Sequence, residues 1–85
     1  MSTEDARMVD RIRQKFDVGV LPREQPKQIS GGYGFGDACN GCGDSMRRGQ
    51  GVIEFGVAGR LHRLHTGCYG LWEGELMRRG LFKPQ

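Results

Sequence analysis

The sequence has no apolar run approaching the ~18 residues that a membrane span needs. Its first residues, Met1-Ser2-Thr3-Glu4-Asp5, are acidic where a secretory signal would be basic and then apolar. Both absences point to a cytoplasmic protein with no membrane partner. Apolar material is scarce throughout: 36% of the 85 residues are hydrophobic and 8% aromatic, so the core must be thin. A single domain of this size usually leans on a metal, disulfides or a partner chain for stability. Cysteine is rare and odd in number, at three. An odd set cannot close fully into internal disulfides, and a reducing compartment would keep the thiols free. A large excess of one charge is also missing. Residues 1–38 hold six Lys/Arg against six Asp/Glu, and residues 39–85 hold seven against four, which gives a net charge of +3. That excess is too small to imply nucleic-acid binding by itself.

Glycine is the residue in surplus, 15 in all, of which fourteen fall from Gly31 to Gly80. The second half is therefore expected to be built on tight turns. The run Gly31-Gly32-Tyr33-Gly34-Phe35-Gly36 has the look of a phosphate loop. It lacks a confident strand before it, a helix after it and a Walker lysine. It is read instead as a flexible lead-in, with Tyr33 and Phe35 covering core edges or presenting an aromatic surface.

Residues 2–18 predict an amphipathic helix with Ser2 as N-cap and Asp5 three residues on. Met8, Val9, Ile12 and Phe16 form its apolar stripe, and Gly19 its C-terminal stop. The stripe either docks within the chain or binds a partner. Docking is favoured, on the hairpin face around Ile53, Phe55 and Leu64. Pro22 and Pro26 mark a connector, with a short extended piece at 27–29. Residues 51–65 predict a hairpin turning at Ala58-Gly59, which sets Val57 opposite Arg60, Phe55 opposite His62, Ile53 opposite Leu64 and Glu54 opposite Arg63. His62 and His65 then point to opposite faces. A second helix is expected over 67–79, with Thr66 as N-cap, Cys68, Leu71, Trp72 and Leu76 inward and Gly80 as its stop. Gly70 and Gly74 weaken it, which calls for compensation or for something packed close to them. Glu73 and Glu75 are expected to be solvated. The chain thus divides into an N-terminal helix (1–19), a Pro/Gly-rich connector (20–37), a metal-binding domain (38–80) and a tail (81–85).

The chemistry lies in Cys39-Asn40-Gly41-Cys42 and His65-Thr66-Gly67-Cys68, two pairs with two-residue spacers and 22 residues between Cys42 and His65. Zinc takes four thiolate and imidazole ligands in a tetrahedron. A two-residue spacer lets a tight turn aim both side chains at one point, and Gly41 and Gly43 permit that turn. The pattern uses every cysteine. One zinc held by Cys39, Cys42, His65 and Cys68 is expected, with His62 the rival fourth ligand and iron another tetrahedral thiolate metal. Four protein ligands leave no open position for catalytic water, so neither an enzyme nor a small-molecule substrate is expected. A thioredoxin-like redox pair would need a helix after Cys42, and Gly43-Asp44 follows instead.

A two-ligand turn, a hairpin and a helix supplying the remaining ligands resemble the treble-clef zinc finger. The Cys-x-x-Cys…His-x-x-Cys pattern over residues 38–79 resembles the first zinc module of LIM domains, without the second set of four ligands. The layout is also similar to small uncharacterised bacterial proteins with a Leu-Pro connector (Leu21-Pro22), a Gly-rich lead-in (32–36), a CxxC pair and a His-x-x-Cys-Tyr-x-Leu-Trp helix (65–72). The LIM resemblance implies a protein-interaction or adaptor module. Other treble clefs lay a basic helix on DNA, which makes a nucleic-acid patch of Arg47, Arg48, Arg78 and Arg79 the alternative. Against it, the exposed face of the second helix offers Tyr69, Glu73 and Glu75, of which two repel phosphate.

Overall fold

Ala58 and Gly59 both take positive φ, 52° and 80°, which is the signature of a type I′ turn. That turn fixes the register of the hairpin it joins. The computed structural model describes residues 3–81. In chain order these form helix α1 (Thr3–Asp17), strands β1 (Ile29–Tyr33), β2 (Gly51–Val57) and β3 (Arg60–His65), and helix α2 (Thr66–Arg78). The strands make one antiparallel sheet in the order β1-β2-β3. The β2–β3 register is the one expected: Val57 opposite Arg60, Phe55 opposite His62, Ile53 opposite Leu64, Glu54 opposite Arg63. Glu54 and Arg63 meet at 2.6 Å.

The glycine-rich lead-in is not a loop. Gly31 and Gly32 belong to β1, where they pair with Ile53 and Val52. Gly34 continues the ladder by donating to the Gln50 carbonyl at 2.9 Å. A Cβ on Gly34 would collide with the Met46 and Arg47 carbonyl oxygens, so this approach requires glycine.

α2 packs on β2 and β3. Its Trp72 lies flat against Phe55 at 4.7 Å, and Tyr69 meets Phe55 edge-on at 5.7 Å. The helix begins one residue earlier than expected. Thr66 is its first residue, the cap position belongs to His65, and no side chain caps it. At the other end Leu81 and Gly80 donate to the carbonyls of Leu76 and Met77, a Schellman closure with Gly80 at φ 71°. α1 ends the same way, through Val20 to Lys15 and Gly19 to Phe16. The expected Ser2 cap lies outside the described residues.

The N-terminal helix does dock within the chain, but not on the hairpin. α2 already covers that sheet face, so α1 packs on α2 and on the two-cysteine turn. The two helices run the same way. Met8 Sδ lies 3.5 Å from Cys68 Sγ, Arg13 binds Glu75 at 2.7 Å, and Arg79 binds Asp17 at 2.8 Å. Ile12 and Phe16 are fully buried in this seam. Glu75, expected in solvent, is buried and receives Arg13, Arg78 and Arg79. The hydrogen bond from Arg78, reinforced by the other two arginines, holds its carboxyl down to about 2.

Candidate metal centre

The Cys39–Cys42 turn is a small hairpin of its own. The Cys39 N–H donates to the Asp44 carbonyl at 2.9 Å, the Gly43 N–H to the Cys39 carbonyl at 3.0 Å, and Met46 and Asp37 close the next rung at 2.7 Å. Gly43 sits at φ 84°, a conformation that favours glycine. The Gly41 N–H turns onto Cys39 Sγ at 3.3 Å. Gly41 itself lies under α1, since a Cβ there would fall 2.5 Å from Ile12 Cδ1 and 3.0 Å from Leu64 Cδ2. Asn40 ties the turn to β3 by donating its N–H to the Arg63 carbonyl at 2.9 Å and accepting the Arg63 N–H at 3.1 Å.

β3 delivers His65 from the strand end, and the first turn of α2 delivers Cys68. The ligand atoms of Cys39, Cys42, His65 and Cys68 lie within 4.8 Å of one another. His65 Nδ1 is 3.5 Å from Cys42 Sγ and 3.8 Å from Cys68 Sγ. A zinc tetrahedron with bonds of about 2.3 Å to sulfur and about 2.05 Å to nitrogen places sulfur and nitrogen about 3.6 Å apart. The four residues are therefore positioned to bind one metal ion. His65 Nε2 stands 3.2 Å from the Ser45 carbonyl oxygen. A carbonyl only accepts, so Nε2 carries the proton and the Nδ1 lone pair faces the sulfurs.

The thiols titrate as a group. Cys39 is pushed down to about 4, first by a hydrogen bond from Cys68 and then by the Cys42, His65 and Gly41 backbone N–H groups, against its burial. Cys68 goes up, because its proton is held by the Cys39 sulfur, with burial adding to it. Cys42 goes up chiefly through burial. A divalent cation removes the conflict by accepting all three as thiolates, which leaves a site charge of about −1.

His62, the rival ligand, is on the other side of the strand. It stacks on Phe55 at 5.3 Å and is 5% exposed, with Nδ1 unpartnered. Its imidazole is held below its ordinary value by burial and then by Arg60. Of the four candidate nucleic-acid arginines, Arg47 and Arg48 are exposed, while Arg78 and Arg79 bind Glu75. An open groove of about 760 Å³ is lined by Cys42, His65 and Cys68 together with Met8, Leu71 and Arg47.

Asn40 as the tie between the cysteine turn and β3 escaped the sequence reading, as did the contact of Met8 with Cys68 and the burial of Glu75 beneath three arginines. Asn40 carried a weak local signal as a turn residue inside the CxxC pair. Met8 and Glu75 act through contacts 60 and 62 residues away, for which a single sequence holds no sign. No protein-family model, curated protein or solved structure matches this chain.

Proposed function

We propose that this protein is a treble-clef-like structural-zinc domain that works as a protein-interaction or adaptor module. The observation that carries the zinc half is the Cys₃His set itself. Its four ligand atoms lie close enough to fill all four positions of a tetrahedron, and the Ser45 carbonyl favours the His65 tautomer that turns the Nδ1 lone pair to the sulfurs. A sphere filled this way supports folding and leaves no position for substrate or hydroxide. The interaction half rests on what the small core leaves outside. Tyr33 and Phe35 are each 71% exposed and Ile29 50%, all on or beside one sheet edge. Tyrosine, with arginine nearby, is the residue type that anchors protein interfaces.

Cobalt substitution tests the zinc half. Co(II) bound by three thiolates and one imidazole gives intense tetrahedral d–d bands, and added azide or cyanide should leave them unmoved. A spectrum that shifts on adding either anion reveals an open coordination position and returns the site to catalysis. The nucleic-acid reading retains Arg47 and Arg48, whose guanidinium groups have no ion partner among the described residues. Titration with an oligo-dT probe at two salt concentrations separates the readings. The interaction module predicts no binding at physiological salt, and a binding constant that falls steeply with salt would favour nucleic acid.

A further inference from the structure

The two edges of the sheet are treated differently. At β3 the outward N–H and C=O of Arg63 are both taken by Asn40, so the cysteine turn blunts that edge. At β1 no strand among the described residues pairs on the outer side, and four of its five residues are exposed. The sequence Ile29-Ser30-Gly31-Gly32-Tyr33 contains no proline, no lysine and no charge, the devices that normally guard an edge.

Ladder alternation fixes which groups face outward. Arg63 turns its backbone away from β2, and Gly34 donates to Gln50. Both observations set the same phase: Ser30 and Gly32 bond to β2, while Ile29, Gly31 and Tyr33 turn their backbone away from it, the Tyr33 carbonyl accepting one bond from the Arg63 guanidinium at 3.1 Å and keeping a second lone pair. The outward set is centred on Gly31. We infer that β1 is a homodimer seam, where two copies of this chain pair antiparallel about Gly31 to make one six-stranded sheet.

The pairing is self-complementary. Gly31 meets Gly31 of the second copy at the twofold axis, and Ile29 of each copy stands opposite Tyr33 of the other. Ile29 and Tyr33 lie on the face of the sheet that carries Phe55 and Ile53, so each pair is an apolar cross-strand contact. The five seam residues carry no charge to oppose their own copy, and the Arg63 guanidinium that reaches the Tyr33 carbonyl is paired with Asp37 and Glu54. There is room as well. α2 packs on β2 and β3 and stops short of β1, and nothing lies within 4 Å of a Cβ placed on Gly31 or Gly32. The inference deepens the interaction reading by making the first partner a second copy. It does not rest on the metal, so failure of either leaves the other standing.

The test is sedimentation equilibrium of the zinc-loaded full chain, with amide exchange read at low and high concentration. A five-residue seam is a small interface, and a Kd of about 10–100 μM is expected. The Ile29, Gly31 and Tyr33 amides should slow as concentration rises, while Ser30 and Gly32 are slow throughout. Gly31 lies outside the left-handed region, and its N–H points away from β2. Gly31→Pro should therefore raise Kd more than about tenfold while the ladder to β2 remains. Ile29→Lys, at a half-exposed position, gives the same readout without a backbone change and decides the matter if the proline variant unfolds. A monomer at millimolar concentration overturns the proposal and assigns the edge to some other strand. A dimer that survives Ile29→Lys with Ile29, Gly31 and Tyr33 unprotected overturns it equally, since the contact then lies elsewhere.

Discussion

Ala58 holds a left-handed φ of 52° at the first position of a turn that prefers Asn or Gly. Ala58→Asn should raise stability by about 0.5–1 kcal/mol, read as a higher denaturant midpoint at unchanged m-value. The two helical glycines lead the same way for a different reason. Gly70 and Gly74 called for compensation elsewhere or for something packed close to them, and the structure leaves the first. Both are exposed, and a Cβ on either meets nothing within 4 Å. Gly70→Ala and Gly74→Ala should each add about 0.5–1 kcal/mol. A loss of stability at either would show that the surface there is covered. The two histidines were separable in the sequence because strand alternation depends only on counting, and 62 and 65 differ by an odd number. His65→Ala should release the metal, and His62→Leu should retain it.

His62 also gives the protein a pH dependence. Its folded imidazole is held below the ordinary value, so the unfolded chain takes up the proton first. Its contribution is intact above about pH 6.5 and declines as the pH falls below that value. Measured at saturating zinc, the stability of the parent relative to His62→Leu should fall between pH 7 and 5.5. A constant difference would mean that Nδ1 has a partner in solution.

At the scale of elements, hairpin register and helix stops were legible because each is set by a few adjacent residues. Ala58-Gly59 fixed the turn, and Gly19 and Gly80 took the Schellman positions. The placement of α1 was not legible. Of its expected stripe, Ile12 and Phe16 are fully buried and Met8 and Val9 partly so, but the surface it meets is made of Gly41, Cys68 and Glu75, which converge only in three dimensions. Glu75 joins the helices, and its partners Arg13 and Arg78 are roughly half exposed, so solvent reduces what the cluster contributes. Glu75→Gln at neutral pH should cost about 2 kcal/mol and loosen α1 before the sheet, visible as faster amide exchange at residues 8–16. A uniform change across the chain would assign Glu75 to α2 alone. The same seam couples α1 to the metal centre, because Arg11 donates to the Cys42 carbonyl at 3.2 Å and Met8 touches Cys68.

At the scale of the whole molecule, the four side chains positioned to bind a metal ion sit where the cysteine turn, β3, α1 and α2 meet, so an ion there would tie together the parts of a thin core. Structural zinc contributes an apparent ~10–16 kcal/mol in finger peptides, against a net ~5–15 kcal/mol for whole domains. The convergence of Cys39, Cys42, His65 and Cys68 was readable from spacing, because a two-residue spacer lets a tight turn aim two side chains at one point. The small α+β class followed from the order of turn, hairpin and helix. What the chain binds left no such pattern, since an interface is set by surface shape and not by chain spacing. The most direct measurement is X-ray absorption at the zinc edge, with metal content, on protein purified without chelator. One zinc per chain with three sulfurs at about 2.3 Å and one nitrogen at about 2.0–2.1 Å is the expected result. Protein that keeps its fold without metal, or zinc in a shell dominated by oxygen, would contradict the account.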